Sequence, residues 1–331
     1  MKLMRAAALT ALFTLVSVGP LRAQSIMWEL INEYPASVLA GEADVFFADQ
    51  VKLKTDGKVI IKTIHDAKSG LRTREQLKAV SDGRFAMASS FGGALGDENA
   101  LFLLSTLPLL TSSAADARVL FDAAHPLYEK AFAERGQKLL YASPWPPSGI
   151  WSAFAVDSTA ALKRLKIRTY DKTGTEVFAQ VAESAVVVSF ADLNPKLQSG
   201  EFNAVLSSGD GGAGRQLWRF LPHFTEISYA IPLSFGAVSL DAWNALDEST
   251  RNTILSIARE TTERQWSAMA ERTAQNFSRM RENSVKIDEK PSAEVAAALR
   301  SASEKSIAEW QSRAGAEAAA LLAAYRAKTA R

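Results

Sequence analysis

ALKRLKIRTYD, residues 161–171, carries both the alternation and the arginine from which the fold and the chemistry of this chain are predicted. Within it, Leu165 and Ile167 alternate with Lys166 and Arg168, and this period of two predicts a short, half-buried strand with a cation near its end. An arginine fixed at the end of a strand can hold a carboxylate through parallel hydrogen bonds. A surface arginine on an ordinary strand is the alternative, and the spacing alone does not separate the two.

A glycine-rich stretch follows later, LQSGEFNAVLSSGDGG at residues 197–212. Its pattern predicts the end of a helix, a glycine break, a strand and a loop. Glycines let backbone N–H groups approach a ligand closely, and the start of a helix favours an anion. We therefore expect the loop to line the same cleft as Arg168, with an ordinary tight turn as the alternative. The loop residues are Ser207, Ser208, Gly209 and Asp210.

The N-terminus has the three parts of a secretory signal peptide. Lys2 and Arg5 precede an apolar run over residues 6–18, and the small residue Ala23 marks the expected cleavage site. The apolar run is shorter than the roughly 20 residues that a membrane span needs. We therefore predict export to the periplasm, with an uncleaved anchor as the alternative. The chain has no cysteine, which excludes disulfides and a lipid-modified N-terminal cysteine.

The charge balance changes when the predicted signal peptide is removed. The full chain has 38 basic and 36 acidic residues. Residues 1–23 contain Lys2, Arg5 and Arg22 and no acid, so the mature chain has 35 basic and 36 acidic residues and a net charge of −1. Such a chain lacks the basic bias typical of nucleic-acid binding. The remaining length suits two domains of about 100–200 residues each.

The N-terminal half predicts crossover units of a sheet. Apolar residues recur every three or four positions over residues 36–54, which predicts a helix. Residues 58–65 are β-branched and strand-like, and residues 84–90 predict a further strand. Between these strands, Thr73 and Gln76 fit a capping box at the start of a second helix. This β-α-β-α-β order predicts an open sheet covered by helices.

A proline-rich stretch, SPWPPSG at residues 143–149, predicts a hinge that leads into a second lobe. That lobe is expected to hold strands at residues 151–157 and 186–190, and a helix at residues 173–182. The β-rich residues 223–243 are expected to return to the first lobe.

The C-terminal part of the chain is predicted to form two long helices, one over residues 247–280 and one over residues 292–328. The resulting fold class is α/β, with two lobes, open mixed sheets flanked by helices, and long C-terminal helices bracing both lobes. The first lobe is predicted to comprise residues 24–148 plus about 233–272. The second lobe is predicted to comprise residues 149–232 plus about 273–331.

Catalytic patterns are scarce. His65, His125 and His223 are too far apart in sequence for a paired zinc site. The chain has neither a cysteine nucleophile nor a G-x-S-x-G elbow. We therefore predict neither an enzyme nor a metal site, although serines and carboxylates could still meet in space.

Gly209, Gly211 and Gly214 match the spacing of a dinucleotide fingerprint, with a predicted strand before them and a predicted helix after them. The fingerprint also needs an acidic residue at the end of the next strand, and Glu226 comes too soon for that role. Export also argues against a bound nicotinamide cofactor, so no cofactor is expected.

Four stretches together resemble one family. LKRLKIR at residues 162–168 and KLQSGEFNA at residues 196–204 follow, in the same order, two earlier stretches at residues 41–67 and 74–88. They resemble the DctP-like solute-binding proteins of tripartite ATP-independent periplasmic (TRAP) transporters. The resemblance implies a type II-like periplasmic binding protein in which Arg168 binds the carboxylate of the ligand. It also implies delivery to small and large membrane subunits, driven by a sodium gradient.

The resemblance also indicates how this site departs from the family. Where well-known members have an asparagine that contacts the ligand, this chain has Ser207, with Ser208 beside it. Where many members carry a second arginine, this chain has Trp151. The loss of a cation makes a second carboxylate on the ligand less expected, and the indole offers a flat apolar face. Alternatively, Trp151 is a core residue of its lobe.

Other candidates follow predicted strands, where ligands bind in open sheets, or lie near the hinge. These candidates are Glu33, Tyr34, Pro35, Ser89, Ser90, Phe91, Phe190 and Trp145. Asp210 is a candidate acceptor for ligand hydroxyls, or a solvated turn residue.

The sequence therefore predicts a monomeric periplasmic binding protein that closes around a small organic acid. Sugar acids, hydroxy acids, keto acids and aromatic acids all remain open, with a monocarboxylate favoured. A binding protein serving a sensor and an exported hydrolase are the alternatives.

Overall fold

The computed structural model describes residues 25–329, so the predicted signal peptide, residues 1–23, lies outside the described residues. The strands are β1 (Ile26–Asn32), β2 (Val59–Ile64), β3 (Met87–Phe91), β4 (Gln137–Pro144), β5 (Ser148–Ser152), β6 (Lys166–Thr169), β7 (Ser184–Val187), β8 (Ala204–Ser208), β9 (His223–Thr225), β10 (Leu233–Ser239) and β11 (Lys286–Asp288). The helices are α1 (Leu39–Lys54), α2 (Thr73–Ser81), α3 (Ala114–Ala133), α4 (Thr159–Leu162), α5 (Lys172–Phe178), α6 (Leu193–Gln198), α7 (Gly209–Arg215), α8 (Leu240–Asn244), α9 (Glu248–Glu282), α10 (Ala293–Arg313) and α11 (Gly315–Thr329).

The first lobe is built on a sheet with the strand order β2-β1-β3-β10-β4. Strand β1 is parallel to β2 and β3, as the predicted crossover units require, whereas β10 is antiparallel to both of its neighbours. Helix α1 begins at Leu39, three residues later than the first residue of the predicted range.

The second lobe is built on a sheet with the strand order β11-β9-β5-β8-β6-β7. The chain enters this lobe after β4 and leaves it before β10. The two crossing segments hydrogen-bond to each other, because Trp145 donates its backbone N–H to Pro232 at 2.8 Å and Ser148 donates to Ala230 at 3.0 Å. The predicted hinge therefore consists of two paired segments, and the proline-rich stretch is one of them.

Two long helices brace both lobes, as predicted. Helix α9 buries Ile254 and Ile257 in the core of the first lobe and Met280 in the core of the second. Helix α10 buries Leu299 in the second lobe, and its Trp310 reaches the first lobe, where the indole donates to the carbonyl of Ala100 at 2.7 Å. No helix among residues 25–329 combines the length and the apolar character needed to cross a membrane.

The C-terminal segment differs from the single helix that the sequence predicted. The helix breaks before Gly315, which has a φ of +82°. Helix α11 then packs against α3 and buries Leu322 and Tyr325 in the core of the first lobe. These residues fall within the range, about 273–331, that is predicted for the second lobe. The break lets the chain reverse onto a surface that the sequence pattern alone does not specify.

The start of α2 also differs from the prediction. Thr73 and Gln76 do not form the capping box. Instead, Glu75 accepts from the backbone N–H of Arg72 at 2.8 Å. Thr73 donates both its backbone N–H and its hydroxyl to the carboxylate of Glu33, each at 2.7 Å. Thr73 therefore bonds to a residue distant in sequence, Glu33, instead of taking part in a capping box within its own helix.

Close packing on β10 leads to a prediction for Gly236. A Cβ at this position would lie 2.2 Å from the ring of Tyr141. The ring cannot swing away, because it packs on Phe47 and its hydroxyl donates to the buried Asp44 at 2.7 Å. We expect Gly236→Ala to lower the free energy of unfolding by about 2 kcal/mol.

Chemical denaturation of a double-mutant cycle with Tyr141→Ala measures this clash. The double variant should lose less stability than the sum of the two single losses. Simple additivity would contradict the steric explanation.

Candidate ligand-binding site

An inner cavity lies between the lobes, where strands of both sheets reach their carboxyl ends. Tyr34 follows β1, Tyr170 follows β6, and Phe91 and Ser208 end β3 and β8. Open α/β sheets bind ligands at this edge. The cavity comprises about 300 Å³ of space free of protein atoms, part of which is open to solvent. It is lined by Tyr34, Phe91, Trp145, Ser148, Arg168, Tyr170, Phe190, Ser207, Ser208, Gly211 and Pro232.

Arg168 is the cation of this cavity. It lies on β6 and is 2% exposed. Its Nε donates to the carbonyl of Val188 at 2.8 Å and its Nη1 donates to the carbonyl of Leu206 at 3.4 Å. These bonds fix the plane of the guanidinium but bring no negative charge. The alternative of a surface arginine is therefore wrong.

No carboxylate among residues 25–329 forms an ion pair with Arg168; Glu33 and Asp171 act on it only as more distant charges. Burial lowers the pKa of its guanidinium below the ordinary value, yet arginine keeps its charge at neutral pH. A buried charge without a partner is costly. The cavity wall therefore holds an unneutralised cation.

Aromatic rings enclose the rest of the cavity. The ring of Tyr34 lies 4.4 Å from that of Phe190 and 4.9 Å from that of Trp145, measured between centroids. Phe91 and Tyr170 meet edge to face at 5.3 Å. The indole N–H of Trp145 donates to Ser234 at 2.9 Å, so the ring orientation is fixed. Such walls favour a compact ligand with an apolar or flat surface.

The polar wall comes from the end of β8 and the start of α7. Ser208 caps α7 by accepting from the N–H of Gly211 at 3.1 Å, and Ser207 lies beside it. On the two strands that flank β8 in the same sheet, the hydroxyl of Tyr170, which follows β6, donates to Ser148 of β5 at 3.3 Å. These hydroxyls surround the space next to Arg168 with hydrogen-bonding groups.

An outer cavity of about 960 Å³, open to solvent, adjoins the inner one and shares Tyr34, Arg168, Tyr170 and Phe190 with it. It is further lined by Glu33, Thr73, Arg74, Gly93, Ala94, Gly96, Asp97, Leu103, Asp171, Lys172, Val187, Val188 and Ser189. Arg74 and Lys172 give it cations from both lobes.

The structure brings together seven of the sequence candidates in the inner cavity. These are Arg168, Tyr34, Phe91, Trp145, Phe190, Ser207 and Ser208. Sequence reasoning missed Tyr170, Ser148 and Pro232. The signal for Tyr170 was available, because residues two apart on a strand share a side and Tyr170 comes two residues after Arg168.

Trp151 does not line either cavity. It is fully buried in the core of the second lobe, against Phe224 at 5.2 Å between ring centroids, and its indole N–H donates to the carbonyl of Ser208 at 3.2 Å. Helix α7 covers the ring closely, and a Cβ on Gly212 would lie 2.1 Å from it. The core alternative is therefore the one that the structure supports.

Ser89 and Ser90 are also buried away from both cavities. The side chain of Ser90 donates to Gln76 at 2.8 Å. Strand β3 is an interior strand of its sheet, so its last serines bond within the lobe.

Glu33 and Asp210, predicted beside the ligand, instead connect the lobes. Oε2 of Glu33 accepts hydrogen bonds from Thr73 of the first lobe. Its Oε1 accepts from the N–H of Ala191 in the second lobe at 2.8 Å. Asp210, on α7 with Gly209 before it, accepts from the N–H of Leu39 in the first lobe at 2.7 Å. Both carboxylates are saturated by protein donors, and Glu33 also lines the outer cavity.

Ion pairs cross the cleft beside these contacts. Arg72 of the first lobe binds Asp192 of the second through Nε at 3.1 Å and Nη2 at 2.6 Å. Arg215 of the second lobe donates to Asp66 of the first at 2.9 Å. The described conformation is therefore closed, with the lobes held together around the inner cavity.

Two lobes on separate sheets, joined by paired hinge segments around a cavity, form the architecture of a solute-binding protein of the periplasmic type. Residues 32–313 match the bacterial extracellular solute-binding proteins of family 7, DctP. The chain belongs to this family.

Solved structures agree. DctP7 of Bordetella pertussis, an extracytoplasmic solute receptor binding pyroglutamic acid, has a TM-score of 0.87 and 26% identity, covering 91% of this chain and 100% of that chain. A marine metagenome TRAP solute-binding protein specific for pyroglutamate has a TM-score of 0.86 and 27% identity, covering 92% and 99%. A TRAP protein from Desulfovibrio salexigens with bound orotic acid, at 20% identity and a TM-score of 0.84 over 93% and 99%, shows the fold alone.

A search of the curated proteins found no match. The family and its solved members confirm the predicted family, the two-lobed α/β fold and a binding protein rather than an enzyme.

The interlobe bonds of Glu33 lead to a prediction. In Glu33→Gln, an amide nitrogen replaces one of two oxygens that each face protein N–H donors, so one bond is lost and the closed form is destabilised. We expect the dissociation constant for the ligand to rise about tenfold.

Calorimetry against Glu29→Gln provides the matched control, because Glu29 lies on β1, the strand that Glu33 follows, and its side chain is half exposed. Equal affinities for both variants would contradict the role assigned to Glu33.

Asp171 leads to a prediction for pH. Burial raises the pKa of its carboxyl from 3.8 to about 7, while the N–H of Gly174 opposes the rise by donating to it at 2.7 Å. As the pH rises through this window, the unfolded chain loses its proton first, so the folded state loses stability. Glu226, whose pKa burial raises to about 7, contributes with the same sign.

We expect Asp171→Asn to raise the melting temperature at pH 8 but not at pH 4, by removing a penalty of about 4 kcal/mol while keeping the acceptor for Gly174. Thermal melts across this pH range test it, with the exposed Asp157→Asn as control. A shift of the same size at both pH values would contradict the assignment.

Proposed function

We propose that this chain is the periplasmic receptor of a TRAP transporter, and that it captures a small organic acid by pairing the carboxylate with Arg168. The observation that carries the proposal is the buried, unneutralised guanidinium in the wall of an interlobe cavity. A carboxylate there would accept charge-assisted hydrogen bonds in a place from which closure excludes water, and such bonds strengthen at low dielectric.

The ligand would be a monocarboxylic acid of compact, flat shape. Arg168 is the one cation in the lining of the inner cavity, which is otherwise aromatic rings, hydroxyls, a glycine and a proline. The relatives at 26% and 27% identity that bind pyroglutamate make that acid the first to test. The carboxylate would face Arg168, the polar edge of the ring would face Ser207 and Ser208, and its faces would contact Tyr34 and Phe190.

Capture would proceed by hinge closure, with the paired segments at Trp145 and Pro232 bending between an open and a closed state. The contacts of Glu33 and of Arg72 with the second lobe exist only when the lobes meet. We further propose that the predicted signal peptide exports the protein and that the protein is a monomer. The loaded form would then be delivered to small and large membrane subunits.

Thermal-shift screening of pyroglutamate, sugar acids, hydroxy acids, keto acids and aromatic acids identifies the ligand, because a ligand that binds only the folded state raises its melting point. We expect Arg168→Ala to weaken binding of the best acid by about 100-fold, since the carboxylate is then buried without a partner. Arg168→Lys should also bind weakly, because a point charge lacks the planar fork.

Lys166→Ala is the matched control, because Lys166 lies on the same strand and is exposed. Both Arg168 variants should melt close to the wild type without ligand. Unchanged affinity of Arg168→Ala in calorimetry would overturn the proposal.

A further inference from the structure

A second guanidinium lies close to the inner cavity without lining it. Arg215 ends α7, and its side chain is 16% exposed. One nitrogen, Nη1, donates to Asp66, but Nε is buried and has no hydrogen-bond partner among residues 25–329. An unsatisfied N–H of a charged group is costly to bury. Arg215 therefore retains a donor that no described group uses.

Phe190 separates this cation from the cavity. The guanidinium carbon of Arg215 lies 4.5 Å from the centroid of the Phe190 ring. The ring of Tyr34 lies 4.4 Å from the same centroid. Phe190 therefore contacts both groups, and it lines the inner cavity together with Tyr34, whereas Arg215 does not line that cavity.

The charge of Arg215 nevertheless reaches the cavity wall. Burial raises the pKa of the Tyr34 hydroxyl, and the charges of Arg168 and Arg215 both act against that rise. Tyr34 lines the inner cavity together with Phe190 and Arg168. The two guanidinium groups thus flank one site, one in contact with its space and the other behind a benzene ring.

We infer that Phe190 determines specificity by keeping Arg215 out of the cavity, and thereby restricts the receptor to acids with a single carboxylate. The inference rests on the proposed pairing of Arg168 with the first carboxylate. A second carboxylate would meet the aromatic ring of Phe190 instead of a cation, and would be buried without a partner. Without the ring, the free Nε–H of Arg215 would face the cavity and could pair with it.

The experiment compares L-pyroglutamate with glutarate, acids of equal carbon count with one and two carboxylates. Calorimetry gives the ratio of the glutarate dissociation constant to that of pyroglutamate. Lobe closure enters both constants, so its changes cancel in the ratio. We expect Phe190→Ala to lower this ratio by about tenfold or more, the value of one charge-assisted pair.

Three controls isolate the cation. Phe91→Ala removes an equal ring from the same cavity, but that ring contacts Tyr34, Trp145 and Tyr170 rather than an arginine, so the ratio should stay within about twofold. Arg215→Met alone should change the ratio far less than Phe190→Ala does, because Phe190 keeps the Arg215 guanidinium out of contact with the ligand. Phe190→Ala combined with Arg215→Met should restore the wild-type ratio. If Phe190→Ala does not fold, Phe190→Leu opens part of the same face and should lower the ratio less.

An unchanged ratio in both Phe190 variants overturns the inference, as does an equal fall in Phe91→Ala or a fall that persists without Arg215. A wild type that binds glutarate as tightly as pyroglutamate also overturns it. In each of these cases the pairing with Arg168 would stand, provided that Arg168→Ala loses pyroglutamate. A wild type that binds no acid in the screen removes the proposed function, and the inference with it.

Discussion

The guanidinium of Arg168 is the constraint on which the rest of the site depends. It lies in a closed interface, 2% exposed, and the carboxylates of residues 25–329 leave it without an ion pair. Removing a charge from water costs several kcal/mol unless a partner replaces the solvent. On the proposed function, this cost belongs to the closed, empty state and disappears when a carboxylate arrives. Ligand capture and closure would then be coupled through one charge, without any separate signal.

A single segment, residues 188–192, connects the ligand site to the contact between the lobes. The carbonyl of Val188 accepts from Arg168, and the ring of Phe190 lines the cavity. The N–H of Ala191 donates to Glu33, and Asp192 binds Arg72 of the first lobe. A shift of this segment would change the cavity wall and the interlobe bonds together. Glu33 follows a strand, which is the usual position of a ligand contact. Because the N–H of Ala191 in this segment faces it, Glu33 instead accepts a hydrogen bond between the lobes.

Much of the fold could be predicted from the sequence, because it rests on local patterns. Alternating apolar residues, the proline-rich hinge and the long glycine-free helix each specify an element within a few residues. The predictions that differ from the structure depend on distant partners. Thr73 does not form the predicted local capping box, because it hydrogen-bonds to Glu33 instead. Helix α11 packs on the first lobe, because α3 presents an apolar face there. A strand pattern also cannot tell a side that faces a cavity from a side that α7 covers, which is why Trp151 was a candidate.

By itself, the sequence determined the elements, their order, the two lobes and the presence of an arginine at the end of β6, since these follow from periodicity and turn chemistry in neighbouring residues. Only the tertiary structure decided that Arg168 has no ion-pair partner among the described residues, that Glu33 and Asp210 are saturated by protein donors, and that Phe190 stands between the cavity and Arg215. Burial and pairing depend on groups that approach from different parts of the chain, and no local pattern records which of them meet.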